Sequence, residues 1–152
     1  INHQKIRKRK IRMLSLLKKL FLVKEIKSKE GVLHFQRYRI IECSLFAIYI
    51  HYIAKSDEDK FPHSHPWNFW SLILFGGYYE ALIKKYSFKK EYFKKQFLSI
   101  GYRYYDDYHK IKLIKPTWTL VLCSPRNEDY TWGYLTNEGH VNFDVYRKNK
   151  NE

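Results

Sequence analysis

The sequence predicts a mainly β domain that closes into a barrel and is preceded by one helix. From residue 32 onwards, apolar and polar residues alternate with the period of a strand, in runs rich in β-branched and aromatic side chains. Segments that contain Gly or Pro, such as Gly76-Gly77 and Pro125, separate these runs as turns do. The 152 residues are 45% hydrophobic and 18% aromatic with 6 Gly and 4 Pro, a composition typical of one packed domain.

The first 30 residues are predicted to form a basic arm, with an amphipathic helix over residues 5–29. Met13, Leu16, Leu17 and Leu20 have the spacing of one helical face, and Gly31 ends the segment. Residues 1–30 hold 11 Lys and Arg against 2 acidic residues, so they carry +9 of the formal net charge of +14. Two interpretations are open. The arm binds a polyanion, either nucleic acid or an anionic membrane surface, or it covers one side of the barrel.

Two runs, residues 32–41 and 44–53, predict a β-hairpin. Arg37 and Arg39 share one face of its first strand. If that face lines the barrel, their guanidinium groups are candidates to bind a carboxylate or phosphate; otherwise they are surface charges. The same alternatives hold for His51, as a ligand or as a structural residue. Residues 118–123, 130–135 and 141–146 are predicted as later strands, followed by a polar tail at 148–152.

Cys43 and Cys123 both lie in apolar, strand-like runs without a CxxC pattern. We therefore expect two buried thiols rather than a disulfide, which fits a reducing, cytoplasmic setting. The basic start lacks the uninterrupted apolar core and cleavage site of a secretory signal. Lys18-Lys19 interrupts the one candidate for a membrane-spanning helix.

Three histidines predict a metal site. His63 and His65 lie two residues apart, so in an extended chain both imidazoles point to one face. His109 follows His65 by 44 residues, in a run whose alternation turns His109 and Ile111 to one face and the lysines to the other. Three neutral imidazoles bind divalent transition metals well. The alternative for the pair is a structural role, held by backbone carbonyls. Glu80 is either a fourth ligand or a carboxylate that lies on the surface or behind the ligands.

The pattern HxHPWxFxSxxLxGxYxE from His63 to Glu80, the His109 strand and the segments 118–121 and 132–133 resemble the cupin superfamily, especially small, often phage-encoded cupin-like proteins. The resemblance implies a double-stranded β-helix, a jelly-roll β-barrel, over residues 31–147. It also implies a divalent metal, with Fe(II) favoured and Zn, Mn or Ni as alternatives. Two features depart from the usual cupin pattern. The glutamate after HxH is missing, and residues 105–108 replace the PxG before the last histidine.

The first function hypothesis is a non-haem Fe(II) dioxygenase or hydroxylase, in which the open positions of a three-His metal take O₂ and substrate and Arg39 or Arg103 orients a substrate carboxylate. A second hypothesis is a non-catalytic module that holds a small ligand in the barrel or a nucleic acid on the arm. A third is a metal-dependent isomerase or hydrolase. A homodimer is also an expectation. The sequence contains no GxGxxG, P-loop or GxSxG motif, so it lacks the signatures of dinucleotide-binding, nucleotide-hydrolysing and serine-hydrolase sites.

Overall fold

The structure is a computed structural model that describes residues 21–85, 87 and 89–151. Antiparallel strands dominate this part of the chain, as the alternation predicts. The strands are β1 (Leu22–Lys27), β2 (Leu33–Glu42), β3 (Ala47–Ile53), β4 (Phe69–Ile83), β5 (Lys90–Gln96), β6 (Ile100–Arg103), β7 (Tyr108–Cys123), β8 (Gly133–Thr136) and β9 (Gly139–Asn142). In the described residues, one helix follows them, α1 (Phe143–Asn151).

Seven strands form one sheet in the order β1-β2-β3-β7-β4-β5, with β6 also paired to β4, and β8 and β9 form a second, two-stranded sheet. The 16-residue strand β7 pairs with β3 through its second half and with β4 along most of its length. The other edge of β4 pairs with β6 and then with β5. The hairpin predicted from residues 32–41 and 44–53 is confirmed as β2–β3.

The large sheet curls around one cavity of about 670 Å³. Five of its strands contribute to the wall of this cavity, through Lys24, Arg37, His51, Glu80 and Thr119. An apolar cluster from β3, β4 and β7 forms the adjoining core. Strands therefore surround an interior as predicted, although most of them belong to one curled sheet rather than to two comparable sheets.

The helix predicted over residues 5–29 is not supported. Residues 1–20 lie outside the described part of the chain, and Leu22–Lys27 form the strand β1. This strand pairs with β2 from Leu22 opposite Tyr38 to Lys27 opposite Leu33. The order of its apolar and charged residues fits the period of a strand as well as that of a helix. Hydrogen bonding to the edge of β2 stabilises the strand conformation. The predicted binding of a polyanion by residues 1–30 stays a prediction.

The C-terminal segment also differs from the prediction. Residues 141–146 are divided between β9 and α1, and α1 continues into the predicted polar tail. The backbone N–H of Asp144 donates to the side-chain oxygen of Asn142 over 2.8 Å, which satisfies a donor at the start of the helix. Aromatic stacking holds the helix in place. Its residues Phe143 and Tyr146 stack on Trp132 and Tyr134, with ring centroids 4.1 and 3.9 Å apart.

Gly76-Gly77, predicted as a turn between two strands, lies inside the continuous strand β4. The register between β4 and β7 shifts at these residues, which is the mark of a β-bulge. Before the bulge, Phe69 and Ile73 are buried, and after it the buried positions are Tyr78, Glu80 and Leu82. The bulge therefore moves the even-numbered residues to the inner face, and it is the reason why the Glu80 carboxylate points inward.

Replacement of Gly76 by alanine is expected to lower the free energy of unfolding by about 3 kcal/mol or more. Its φ is +91°, and a Cβ would lie 2.4 Å from the Pro116 carbonyl oxygen. Gly139 is a matched control, because its φ is +104° and a Cβ there would meet nothing within 4 Å. Gly139→Ala should cost about 1 kcal/mol for backbone strain alone. Urea unfolding measures both losses, and equal losses would contradict the close packing of β4 on β7.

The two cysteines differ in environment. Cys123 is buried as predicted, whereas Cys43 is exposed, because it lies in the short β2–β3 connection rather than in a strand. Burial raises the pKa of the Cys123 thiol to about 12. Among the described residues, no helix is long and apolar enough to cross a membrane.

Candidate metal centre

The HxH segment precedes β4 and is fixed by backbone hydrogen bonds to two strands. The N–H of His63 donates to the carbonyl of His109 over 2.9 Å, and the N–H of His109 donates back over 2.8 Å. The next residue, Ser64, is buried, and its N–H donates to the carbonyl of Gly133 over 2.9 Å. These bonds hold His63 between β7 and β8 in an extended conformation, so that His65 points to the same side.

The three predicted histidines come together at one point. Their ring centroids lie 4.8 to 5.0 Å apart, and each ring offers one nitrogen within 4.8 Å of the others. The Nε2 atoms of His65 and His109 are 2.8 Å apart. At this distance one ring donates its N–H to the lone pair of the other, or the two lone pairs share one metal ion. The donor set fits a divalent transition metal, which takes imidazole nitrogens as ligands.

Glu80 lies behind His109. Its Oε1 atom is 2.8 Å from His109 Nδ1, on the side of the ring away from the other histidines. Nδ1–H donates to this carboxylate, which leaves the lone pair of Nε2 directed at the cluster. Among the described residues, the converging donor atoms belong to His63, His65 and His109, and Glu80 is not one of them. Its predicted role as a fourth ligand stays a prediction.

Arg103 completes this buried chain of contacts. Its Nε donates to Glu80 Oε1 over 2.9 Å, and its Nη2 contacts Glu80 Oε2, so the pair is bidentate. Both side chains are buried, with relative exposures of 3% for Glu80 and 7% for Arg103. Burial opposes the ionised form of Glu80, but the hydrogen bonds from His109 and Arg103 and the positive charge of Arg103 outweigh it and lower the pKa of the carboxyl to about 2.

His63 and His65 are held in the neutral form that metal binding requires. Burial, followed by the electrostatic effect of the neighbouring His109, lowers the pKa of His63 to about 4. The same two causes lower the pKa of His65 well below its usual value. Both rings are therefore uncharged at pH 7, and no proton has to be displaced from them before a metal ion binds.

The predicted catalytic arginines do not line the cavity that contains the histidines. Arg39 is exposed, and its Nη1 lies 3.0 Å from Glu42 Oε2 on the outer surface. Arg103 is engaged by Glu80, as described above. Arg37 does line the cavity, on β2 and close to His65 and Trp67. The catalytic role of Arg39 and Arg103 stays a prediction.

Sequence reasoning did not find the pairing of Arg37 with His51. The two residues are opposite each other in the β2–β3 register, and Arg37 Nε donates to His51 Nε2 over 3.0 Å. Burial and the charge of Arg37 lower the pKa of His51 well below its usual value, so this ring accepts the hydrogen bond in its neutral form. A register extended from the β2–β3 connection, where Glu42 lies opposite Ala47, would place Arg37 opposite Tyr52. The register shift after Arg39 brings His51 opposite Arg37 instead.

Solved structures with a similar fold share little sequence with this chain. A structure of Bacillus subtilis oxalate decarboxylase, described with Mn(II) centres, has a TM-score of 0.54 at 16% identity over 74% of this chain and 30% of that chain. Fe(II) HppE in complex with substrate has a TM-score of 0.53 at 11% identity, over 67% of this chain and 55% of that chain. KdgF from Halomonas sp. has a TM-score of 0.50 at 15% identity, over 72% of this chain and 96% of that chain.

No model of a known protein family and no curated protein matches the sequence. The finer likeness to small phage-encoded proteins therefore stays a prediction. The three solved structures have the cupin fold, and at 16% identity or less their likeness to this chain is one of fold alone. The chain accordingly has the cupin fold, with three histidines gathered inside it.

Proposed function

We propose that this protein binds one divalent metal ion, preferably Fe(II), through His63, His65 and His109, and that it is a non-haem dioxygenase or hydroxylase. The observation that carries the proposal is the convergence of three imidazoles, two of them neutral and the third oriented by a buried carboxylate. Three protein ligands leave coordination positions open, and the bound ion would supply these positions to O₂ or to a substrate oxygen.

Glu80 and Arg103 act in this proposal as positioning residues. Glu80 accepts the Nδ1–H of His109 and so fixes both the tautomer and the plane of that ring. Arg103 neutralises Glu80 and holds its two oxygens in place. Arg103 therefore influences the site through His109 rather than by contact with a substrate.

Aromatic rings next to the histidines keep the proposed centre dry. The ring of Phe69 meets that of His65 edge-on at 5.1 Å, and Trp67 stacks on the other side at 6.2 Å. The ring of Tyr134 lies 6.1 Å from that of His63. Such walls exclude water, which protects a reactive centre from side reactions. The Fe(II) and Mn(II) of the fold neighbours described above support a divalent metal without deciding its identity.

Oxygen uptake tests the proposal. Protein purified without oxygen is reconstituted with one equivalent of Fe(II), with one of Zn(II), or with no metal, and is then exposed to O₂ and ascorbate. We expect uptake above that of free Fe(II) in the Fe(II) sample alone. His65→Ala should abolish this uptake, whereas replacement of the exposed His140, which lies outside the cluster, should preserve it.

Two results would contradict an oxygenase. If Fe(II) binds at one equivalent but uptake never exceeds that of free Fe(II), even with small carboxylic acids added, the site is that of a binding module. If a small carboxylic acid is converted equally well with Zn(II) and without O₂, the protein belongs with metal-dependent isomerases or hydrolases.

A further inference from the structure

Arg37 projects into the cavity in a cage of aromatic rings. The centre of its guanidinium lies 4.9 Å from the ring centroid of Tyr49, 5.4 Å from that of Trp67 and 5.8 Å from that of Phe35. Its Nε donates a hydrogen bond to His51 Nε2. The rings and this single hydrogen bond fix the plane of the group, and among the described residues its two terminal nitrogens have no hydrogen-bond partner.

The described residues offer Arg37 no anionic partner. Among them, Arg37 forms no ion pair. Outside the described residues, positions 1–20, 86 and 88 contain no Asp or Glu, and Glu152 is the one acidic residue. Burial lowers the pKa of Arg37, which is the sign of a cation removed from water without full compensation. An unpaired cation in a half-buried site is costly unless a ligand neutralises it.

The carboxylates that line the same cavity are already engaged or lie at its rim. Asp57 accepts the N–H of Ile111 over 2.7 Å, and Asp59 accepts the hydroxyl of Tyr134 over 2.7 Å. Glu58 is within 3.4 Å of Lys55, Glu80 is held by Arg103 and His109, and Glu30 is exposed. Arg37 is thus a fixed positive charge in the cavity wall, and the carboxylates described above do not pair with it.

Lys24 adds a second cation at the same place. It is the direct cross-strand partner of Arg37 between β1 and β2, and both residues line the cavity. Like charges opposite each other destabilise a sheet. Partial burial and the Arg37 charge lower the pKa of Lys24. An anion between the two side chains would remove this repulsion. Among the described residues, Lys24 also has no ion pair.

This cationic pair adjoins the histidines. The Trp67 ring contacts both groups, since its centroid is 6.2 Å from that of His65 and 5.4 Å from the Arg37 guanidinium. We propose that Arg37, assisted by Lys24, binds the oxyanion of a small-molecule substrate, a carboxylate or a phosphonate, and places its remaining atoms beside the three histidines. The inference rests on the proposed function only for the identity of the ligand as a substrate; the anion site itself stands on the contacts of Arg37.

Calorimetric titration of the full chain tests the anion site. The probes are benzoate, phenylphosphonate and neutral benzamide, which share an aromatic ring and differ in charge. We expect the two anions to bind and benzamide to bind at least tenfold more weakly. Arg37→Met keeps an unbranched side chain against the rings but removes the charge, and it should weaken anion binding by about 10–100-fold. Arg37→Lys should be intermediate, because an ammonium lacks two parallel donors.

Matched variants separate charge from folding. Arg126 is an exposed arginine outside the cavity, and Arg126→Met should leave anion binding unchanged. Lys24→Met should weaken it by roughly threefold. If Arg37→Met does not fold by circular dichroism, the Arg37→Lys and Lys24→Met variants decide. A preference of wild type for phenylphosphonate over benzoate, or the reverse, assigns the oxyanion class.

The metal content of each protein is measured alongside. Equal binding of benzoate and benzamide, no binding of either anion to the wild type, or full anion affinity in folded Arg37→Lys and Lys24→Met variants would overturn the inference. Anion binding that depends on Arg37 in a wild-type protein that takes up no metal would instead overturn the proposed function and leave the anion site standing. Intact metal content in Arg37→Met is the expected result.

Discussion

Replacement of His65 by alanine is expected to weaken the binding of a divalent metal by about 100-fold or more. Zinc sites with four protein ligands have binding free energies of about 10–16 kcal/mol, so one ligand contributes about 3 kcal/mol. His65 lies between the other two imidazoles and the Trp67 wall, where its nitrogen meets that of His109 at 2.8 Å. Competition with a chromophoric chelator, followed by elemental analysis, measures the loss.

His140→Ala is the control for this experiment. His140 is exposed, and its Nδ1 lies 2.8 Å from the hydroxyl of Tyr108, away from the cluster. It should retain one equivalent of metal at wild-type affinity. Equal metal affinity in the wild type and both variants would show that the imidazoles form a structural cluster, as the alternative interpretation of the HxH pair holds.

Glu80→Leu is expected to cost about 3–5 kcal/mol in the free energy of unfolding, because it leaves a buried guanidinium without its counter-charge. Arg103 retains 7% exposure and has both Glu80 oxygens as partners, so water cannot readily replace them. The same change should weaken metal binding by about 10–100-fold, since His109 loses the acceptor that orients its ring. Urea unfolding and chelator competition measure the two effects separately.

A double variant separates stability from metal binding. Glu80→Leu combined with Arg103→Leu removes both charges, so most of the lost stability should return while metal affinity stays low. The exposed pair of Arg39 and Glu42 provides a matched control, and replacement of both residues by leucine should change stability by about 1 kcal/mol or less. If the double variant regains metal affinity as well, Glu80 acts through charge balance and not through the orientation of His109.

The histidine cluster could be predicted because its signal is local. HxH and the alternation around His109 fix the direction of each ring within a few residues, and the structure preserves both patterns. The position of Glu80 depends on a bulge at Gly76-Gly77, and one extra residue in a strand reverses which side chains face inward. A pair of glycines predicts either a turn or a bulge, so the sequence left that choice open.

Other features depended on contacts distant in sequence. Arg37 and Arg39 lie two residues apart on β2, and alternation alone does not tell which of them reaches the cavity. The strand Leu22–Lys27 was predicted as part of a helix, because its period is ambiguous until its partner strand is known. Similarly, α1 is held by stacking on Tyr134, which lies in β8, and on Trp132, which directly precedes β8.

X-ray absorption spectroscopy of the protein loaded with one equivalent of Zn(II) tests the metal site most directly. We expect three imidazole nitrogens at about 2.0–2.1 Å in the wild type, with oxygen ligands from water completing the shell. We also expect the loss of one imidazole in His65→Ala and no change in His140→Ala. A wild-type spectrum with fewer than three imidazoles, or one that His65→Ala leaves unaltered, would contradict a metal centre built on His63, His65 and His109.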